Sequence, residues 1–178
     1  MAVKGGKFER LIQNKILRPI RLKAVISIIN KLPAGTILDI GCMDDYILNR
    51  LPSKFNYIGI DDEPLCRNPK IHKLKIESLP KNKKYDIVLC TEVLEHLDNP
   101  AEGINTLKSL SKRFLLISVP NEPFFSLFRL FQPAKEHLWT IYPWTLKKYL
   151  GKPIFEKTAC FGRTYIALWS LRKNNQNL

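Results

Sequence analysis

Thr36-Ile37-Leu38-Asp39-Ile40-Gly41-Cys42-Met43-Asp44-Asp45 is the stretch that decides the fold. Thr36 to Ile40 is a short apolar run of β-forming residues. It ends in an acid and a glycine. Tyr46-Ile47-Leu48-Asn49-Arg50-Leu51 follows with the pattern of a helical turn or two. Strand, tight turn and helix start are the expected order. A glycine at such a turn lets backbone N–H groups approach a polar ligand closely. A second strand, Tyr57-Ile58-Gly59-Ile60, ends in Asp61, twenty-two residues after Asp39. A carboxylate in that place can accept hydrogen bonds from a ribose diol.

Outward from this core, the periodicity predicts further elements. Phe8 to Lys31 reads as helix, broken or kinked at Pro19. Leu22, Val25, Ile26, Ile28 and Ile29 form a wide apolar stripe, and Pro33-Ala34-Gly35 ends it. Apolar segments follow at 36–40, 56–60, 71–76 and 85–90. The gap between the second and third is short, so no full helix is expected there. Asp98-Asn99-Pro100 opens a helix over Ala101 to Ser111, as an N-cap with a proline near the start. Segments 114–119, 153–161 and 164–170 read as strands, the last two as a hairpin around Gly162-Arg163.

Several of these segments together resemble the class I S-adenosylmethionine-dependent methyltransferases, most of all the small type 11 subgroup. The carriers are Asp39-x-Gly41 with Asp61, the segment Lys84 to Leu97 with its Leu94-Glu95-His96, and the strand Phe114 to Val119 closed by Pro120-Asn121. Later come His137-Leu138-Trp139 and the short helix Pro143 to Leu150. The resemblance implies an α/β fold: a Rossmann-like seven-stranded, mostly parallel sheet with helices on both faces and an antiparallel last strand. It implies one domain over 1–178. Residues 1–34 would be a helical cover, 121–142 a substrate-side insert and 172–178 a polar tail.

The same resemblance implies S-adenosylmethionine as cofactor. Asp39, Gly41, Cys42 and Met43 would hold its methionine half, with Asp45 against its amino group or capping the next helix. Asp61 and Asp62 would hold the ribose, Ile76 and Glu77 would flank the adenine, and Cys90 and Thr91 would lie beneath the sulfonium. This chain departs from the family pattern at Met43 and Asp45, where glycines are usual, and at Lys75, where an adenine-binding Asp is common.

Glu92, Glu95 and His96 stand at i, i+3 and i+4. A helical turn starting just after Cys90 would project all three to one side, at the sheet edge where α/β folds bind ligands. With His137 they make a mixed O/N set suited to Mg²⁺ or Mn²⁺. That set resembles two metal-dependent groups, the small-RNA 2′-O-methyltransferases and the ubiquinone-pathway O-methyltransferases. The alternative is that His96, Glu95 and His137 line the acceptor pocket without metal, as catalytic residues for a hydroxyl acceptor. Phe124, Leu127, Phe128 and Phe131 share a helical face that reads as core, as a lid over an apolar acceptor, or as an interfacial membrane helix. Trp139, Tyr142 and Trp144 could stack on a ring or build core. His72 reads as a surface residue.

The formal charge is +13, and it is uneven. Residues 1–31 carry eight Lys or Arg against one acid, while 85–100 carry four acids and no base. Basic flanks around an acidic edge suit a polyanion, either RNA or an anionic membrane surface, or simply a solvated lysine-rich face. No stretch reaches ~18 consecutive apolar residues, so no spanning helix is expected. Cys42, Cys66, Cys90 and Cys160 are scattered and show no disulfide or zinc spacing, which favours the cytoplasm. The reading that follows is O-methylation of a hydroxylated small molecule, lipid-like intermediate or glycan. The alternatives are a metal-assisted RNA 2′-O-methyltransferase, or a non-catalytic methyltransferase-like scaffold motivated by Met43, Asp45 and Lys75.

Overall fold

A computed structural model describes residues 13–80, 82–121 and 138–171. Seven strands make one sheet: β1 (Gly35–Ile40), β2 (Phe55–Asp61), β3 (Ile71–Lys73), β4 (Tyr85–Thr91), β5 (Ser111–Pro120), β6 (Phe155–Ala159) and β7 (Thr164–Ser170). Their order is β3-β2-β1-β4-β5-β7-β6. Strands β1 to β5 run parallel, and β7 runs antiparallel to both of its neighbours. This is the sheet the sequence predicts, with the order reversing beside β1, where α/β sheets open a crevice at the strands' C-terminal ends.

The two faces are covered separately. Helix α1 (Arg18–Ile29) has Pro19 in its first turn, where a missing N–H costs nothing. One π-helical turn, Gln13–Leu17, precedes it. Leu22, Val25, Ile26 and Ile29 of α1 pack on Ile37, Leu89 and Leu116. Helices α2 (Pro100–Leu110) and α3 (Pro143–Leu150) cover the other face, where Ile104, Leu107 and Leu146 meet Leu38, Val88 and Leu115. Asn99 caps α2, its side chain accepting from Glu102 N at 3.1 Å. As expected, no helix joins β2 to β3.

Three local readings differ. The segment after β1 forms only a three-residue 3-10 turn, Leu48–Arg50. Pro52 holds Leu51 extended (ψ 142°), and the Asp44 carboxylate takes the Tyr46 N–H at 2.9 Å. β3 stops at Lys73 and is followed by a 3-10 turn, Ile76–Ser78. The turn at Leu94–His96 begins after Glu92, not at it. Glu92 has φ 57° and donates its N–H to Ser118 O at 2.9 Å, which extends the ladder past β4 and delays the turn. The expected N-terminal cover before residue 13, the apolar face Phe124 to Phe131, and the polar tail lie outside the described residues, as does His137.

Candidate functional site

The C-terminal ends of β1, β2 and β4 surround a cavity of about 610 Å³. Gly41 and Ile40 floor it, and Asp61 and Asp62 stand at the end of β2. Lys75, Ile76 and Glu77 close one side, and His96, Leu97 and Asn99 the other. Of the residues expected at a cofactor, Gly41, Asp61, Asp62, Ile76 and Glu77 line this cavity, and His96 joins them. Lys75, the departure from the family pattern, lies beside Glu77 in the same wall.

Gly41 is required on two counts. Its φ is +71°, and a Cβ there would collide with Val93 Cγ2. Gly41→Ala is expected to destabilise the fold by about 1–3 kcal/mol, read as a lower Tm.

The loop that follows contradicts one expectation. Its N–H groups are turned to the protein, not to a ligand. Gly41 and Cys42 both donate to Ile60 O, at 2.9 and 3.1 Å, and Asp44 donates to Cys42 O at 2.7 Å. Met43, at φ 61°, donates to Asp61 Oδ2 at 2.8 Å. Glu63 N donates to the other oxygen, Asp61 Oδ1, at 2.9 Å. The loop is therefore laced onto β2. With only a three-residue 3-10 turn behind it, it also lacks a helix dipole. The four N–H groups from Gly41 to Asp44 are thus spent within the protein, which leaves polar side chains at this end, and Asp61 keeps lone pairs beyond these two bonds.

Those side chains come from α1. Arg18 Nη2 donates to Asp44 Oδ1 at 2.8 Å, and its guanidinium lies 5.6 Å from the Tyr46 ring centroid, with that of Arg50 at 3.7 Å. Arg21 Nη1 lies 3.3 Å from Glu92 Oε2. Neither arginine was singled out in the sequence. Asp44 was also missed: its carboxylate takes the Tyr46 N–H, the capping role read for Asp45, while the Asp45 carbonyl accepts from Asn49 N at 2.9 Å.

Asp39 is fully buried beneath this end of α1. Side chains two apart on a strand share a face, so Asp39 faces with Ile37 and Ser118 with Leu116, both toward α1. Tyr57 OH donates to Asp39 Oδ2 at 2.7 Å. Burial raises the Asp39 carboxyl to about 7, against the opposing pull of the Tyr57 hydrogen bond and Arg18. Burial likewise pushes the Cys42, Tyr57 and Cys90 side chains up. Among the described residues, Asp39 Oδ1, Arg21 Nε and Ser118 Oγ are buried polar atoms without a hydrogen-bond partner. A carboxyl oxygen and a hydroxyl on this face of the sheet, with a guanidinium nitrogen on the helix over it, fit a ligand that carries both charges. A zwitterionic amino-acid group has that chemistry.

The expected metal set is not assembled among the described residues. No group of three His, Cys, Asp or Glu converges there. Glu92 faces Arg21, Glu95 is sealed in the core and His96 is exposed at the cavity. Cys90 and Thr91 are buried at the end of β4. The Glu95 carbonyl accepts from Leu138 N and Trp139 N, at 2.9 and 3.2 Å, which ties the segment before α3 to the Leu94–His96 turn. Tyr142 and Trp144 stack on each other with centroids 4.2 Å apart.

Comparison with known proteins agrees with this fold. A family profile described as a methyltransferase domain matches residues 13–155. The ubiquinone biosynthesis O-methyltransferase of Rickettsia bellii is 34% identical over 132 residues, covering 64% of this chain and 54% of that protein. The mitochondrial ubiquinone biosynthesis O-methyltransferase of Candida albicans is 32% identical over 143 residues, 66% of this chain and 42% of that protein. The chain thus spans about half the length of the curated relatives it matches. Among solved structures, the magnesium protoporphyrin IX methyltransferase of Synechocystis, with bound S-adenosylhomocysteine, superposes with a TM-score of 0.69. It is 15% identical and matches over 96% of this chain and 90% of that one. The small RNA methyltransferase HEN1 gives 0.73 at 19% identity, over 97% of this chain and 26% of that one. At these identities the likeness is one of fold.

Proposed function

Because the chain belongs to the methyltransferase-domain family, we propose that it binds S-adenosylmethionine and methylates a hydroxyl on an apolar, ubiquinone-precursor-like ring. One observation supports the cofactor part: Asp39 Oδ1 and Arg21 Nε are buried atoms with no hydrogen-bond partner, and Asp39 stands two residues before the Gly41 that lines the cavity with Asp61. The relatives' names, ubiquinone biosynthesis O-methyltransferase, support the acceptor class.

When bound, S-adenosylmethionine supplies a methyl group on a sulfonium, displaced in line by an acceptor oxygen. The chain's residues bind, orient and handle the proton. Arg21, with Arg18 one turn before it, would hold the carboxylate of the methionine end, and Asp39 would hold its ammonium. Asp61 and Asp62 accept from the ribose hydroxyls, and Ile76 with Glu77 borders the adenine. The buried Cys90 and Thr91 exclude water behind the reacting centre. A hydroxyl acceptor is a poor nucleophile at neutral pH and needs a base. His96, exposed at the cavity and fixed by the Leu94–His96 turn, is that base: its imidazole takes the hydroxyl proton as the new C–O bond forms and the C–S bond breaks, leaving a neutral thioether. No step is assigned to a metal.

His96→Ala is expected to lower kcat by about 10²–10⁴ with the Kd for S-adenosylhomocysteine unchanged. The test is turnover of a catechol acceptor alongside calorimetry with S-adenosylhomocysteine. An unchanged kcat removes His96 as the base. Salt-sensitive RNA binding with methylation at a ribose 2′-hydroxyl, and none of catechol, would replace the proposed acceptor by RNA.

A further inference from the structure

Residues 138–171 carry five Lys or Arg and one acid, Glu156. That acid is taken: Lys147 Nζ lies 2.8 Å from its Oε2, and the Tyr165 hydroxyl donates to the same oxygen at 2.6 Å. Four of the ten exposed large apolar side chains among the described residues also fall in this stretch between 144 and 155: Trp144, Tyr149, Ile154 and Phe155. Positive charge and exposed apolar surface are therefore concentrated in one place, which marks an interaction surface.

Helix α3 buries Leu146 and packs Leu150 against the core. Trp144 and Lys148 are one turn apart on its opposite side, as helical periodicity requires. Trp144 is 60% exposed, and Tyr142 stacks on it nearly parallel, with centroids 4.2 Å apart. The indole is thus held in place without being covered. Past Gly151 the chain enters β6, the edge strand of the sheet. The Lys147–Glu156 pair joins helix to strand, Trp169 Nε1 donates to Gly151 O at 2.9 Å, and Ile154 N donates to Leu168 O at 2.8 Å. The outer side of α3, the turn at Lys152 and the start of β6 are therefore one fastened surface. Lys148 and Lys152 are exposed on it, as are Tyr149 and Ile154.

We infer that this surface seats on an anionic lipid bilayer. Trp and Tyr rings settle at the level of the headgroups. Lysines lay their stems along apolar surface and hold their ammonium groups toward lipid phosphates. Ile154 and Phe155 leave water at the acyl boundary. A nucleic acid would meet the charge but gives Ile154 and Phe155 nothing to pack on. The exposed cations at α3 are also lysines, point charges suited to a diffuse anionic surface, not the forked arginines that clamp single phosphates. The placement fits the cavity. Leu138 N and Trp139 N bond to Glu95 O, which brings the chain entering α3 beside the Leu94–His96 turn, and His96 edges the cavity. A chain seated by α3 keeps that cavity close to the bilayer, where an apolar acceptor dissolves. The surface itself stands on exposure and charge; only this reason for it rests on the function proposed above.

The test is co-sedimentation with two kinds of vesicle, phosphatidylcholine alone and phosphatidylcholine mixed with phosphatidylglycerol. The parent is expected to bind the anionic vesicles about tenfold more tightly than the neutral ones, and less tightly as salt is raised. Lys148→Glu combined with Lys152→Glu should remove that preference. Trp144→Ser combined with Ile154→Ser should weaken binding to the anionic vesicles about tenfold. Both double variants should keep the parent's circular dichroism and its Kd for S-adenosylhomocysteine. No binding to either vesicle at low salt overturns the inference. So does binding that both double variants retain in full, or a parent that prefers poly(U) RNA to the anionic vesicles. A parent that binds the anionic vesicles but no S-adenosylhomocysteine would overturn the proposed function and leave this surface standing.

Discussion

Arg21→Ala is expected to weaken S-adenosylhomocysteine binding by about a hundredfold, near 3 kcal/mol. The guanidinium is mostly buried at the start of α1, 3.3 Å from Glu92, and its Nε has no partner. A charge-assisted hydrogen bond to a carboxylate in a partly dry site contributes about 1.5–3 kcal/mol, and loss of one partner of such a pair costs about 2–5 kcal/mol. The pair with Glu92 is mostly buried as well, so removing Arg21 also leaves the Glu92 carboxylate without this cation and should lower Tm. Arg21→Lys restores the charge but not the forked geometry, so it should recover only part of the affinity. Isothermal titration of the three proteins decides the matter. Equal affinities for parent and Arg21→Ala would remove the arginine from the ligand and leave it a tether for Glu92.

The second large effect concerns Asp39. Its carboxyl is raised from 3.8 to about 7 by burial. A raised carboxyl favours the protonated form in the folded chain. Its contribution to stability is therefore fully present below the unfolded value near 4 and is lost as pH rises through about 7. A shift of this size corresponds to about 4 kcal/mol. Asp39→Asn keeps the shape and an oxygen for the Tyr57 hydroxyl but carries no charge. It should raise Tm at pH 8, leave it nearly unchanged at pH 4, and abolish the pH dependence between. The same variant should lose S-adenosylhomocysteine binding at every pH, since an amide cannot hold an ammonium as a carboxylate does. In the parent, affinity should rise with pH up to about 7 and then level, because the cofactor's ammonium binds the ionised form. A more stable, non-binding variant is the signature of a residue kept for function at the expense of the fold. A variant no more stable than the parent at pH 8 would show that the carboxyl ionises without penalty.

Much of this architecture was legible because periodicity reports burial directly. Apolar runs at 36–40, 56–60 and 85–90 could only be inner strands, and they are. Asp61 and Gly41 were placed correctly at strand ends for the same reason. Periodicity does not say which polar residue on a buried element reaches the site. Arg18 and Arg21 sit on a helix whose pattern speaks only of its apolar stripe, and their partners Asp44 and Glu92 come from 26 and 71 positions away. Tyr57 reads as core, and it is core, yet its hydroxyl is the donor that Asp39 depends on. The helical turn or two expected over Tyr46–Leu51 stops at one turn, because Pro52 holds Leu51 extended and the Asp44 side chain takes the Tyr46 N–H. The i, i+3, i+4 reading of Glu92, Glu95 and His96 fails because Glu92 stays in the ladder with Ser118. In both places a local hydrogen bond overrides the spacing.

Calorimetric titration of the purified protein with S-adenosylhomocysteine at pH 7.5 tests the central claim most directly. The buried atoms without a partner on Asp39 and Arg21, with Asp61 at the cavity, predict one site per chain with a micromolar Kd. No heat of binding at millimolar ligand would contradict the account, and would make this chain a methyltransferase-like scaffold whose buried charges serve the fold alone.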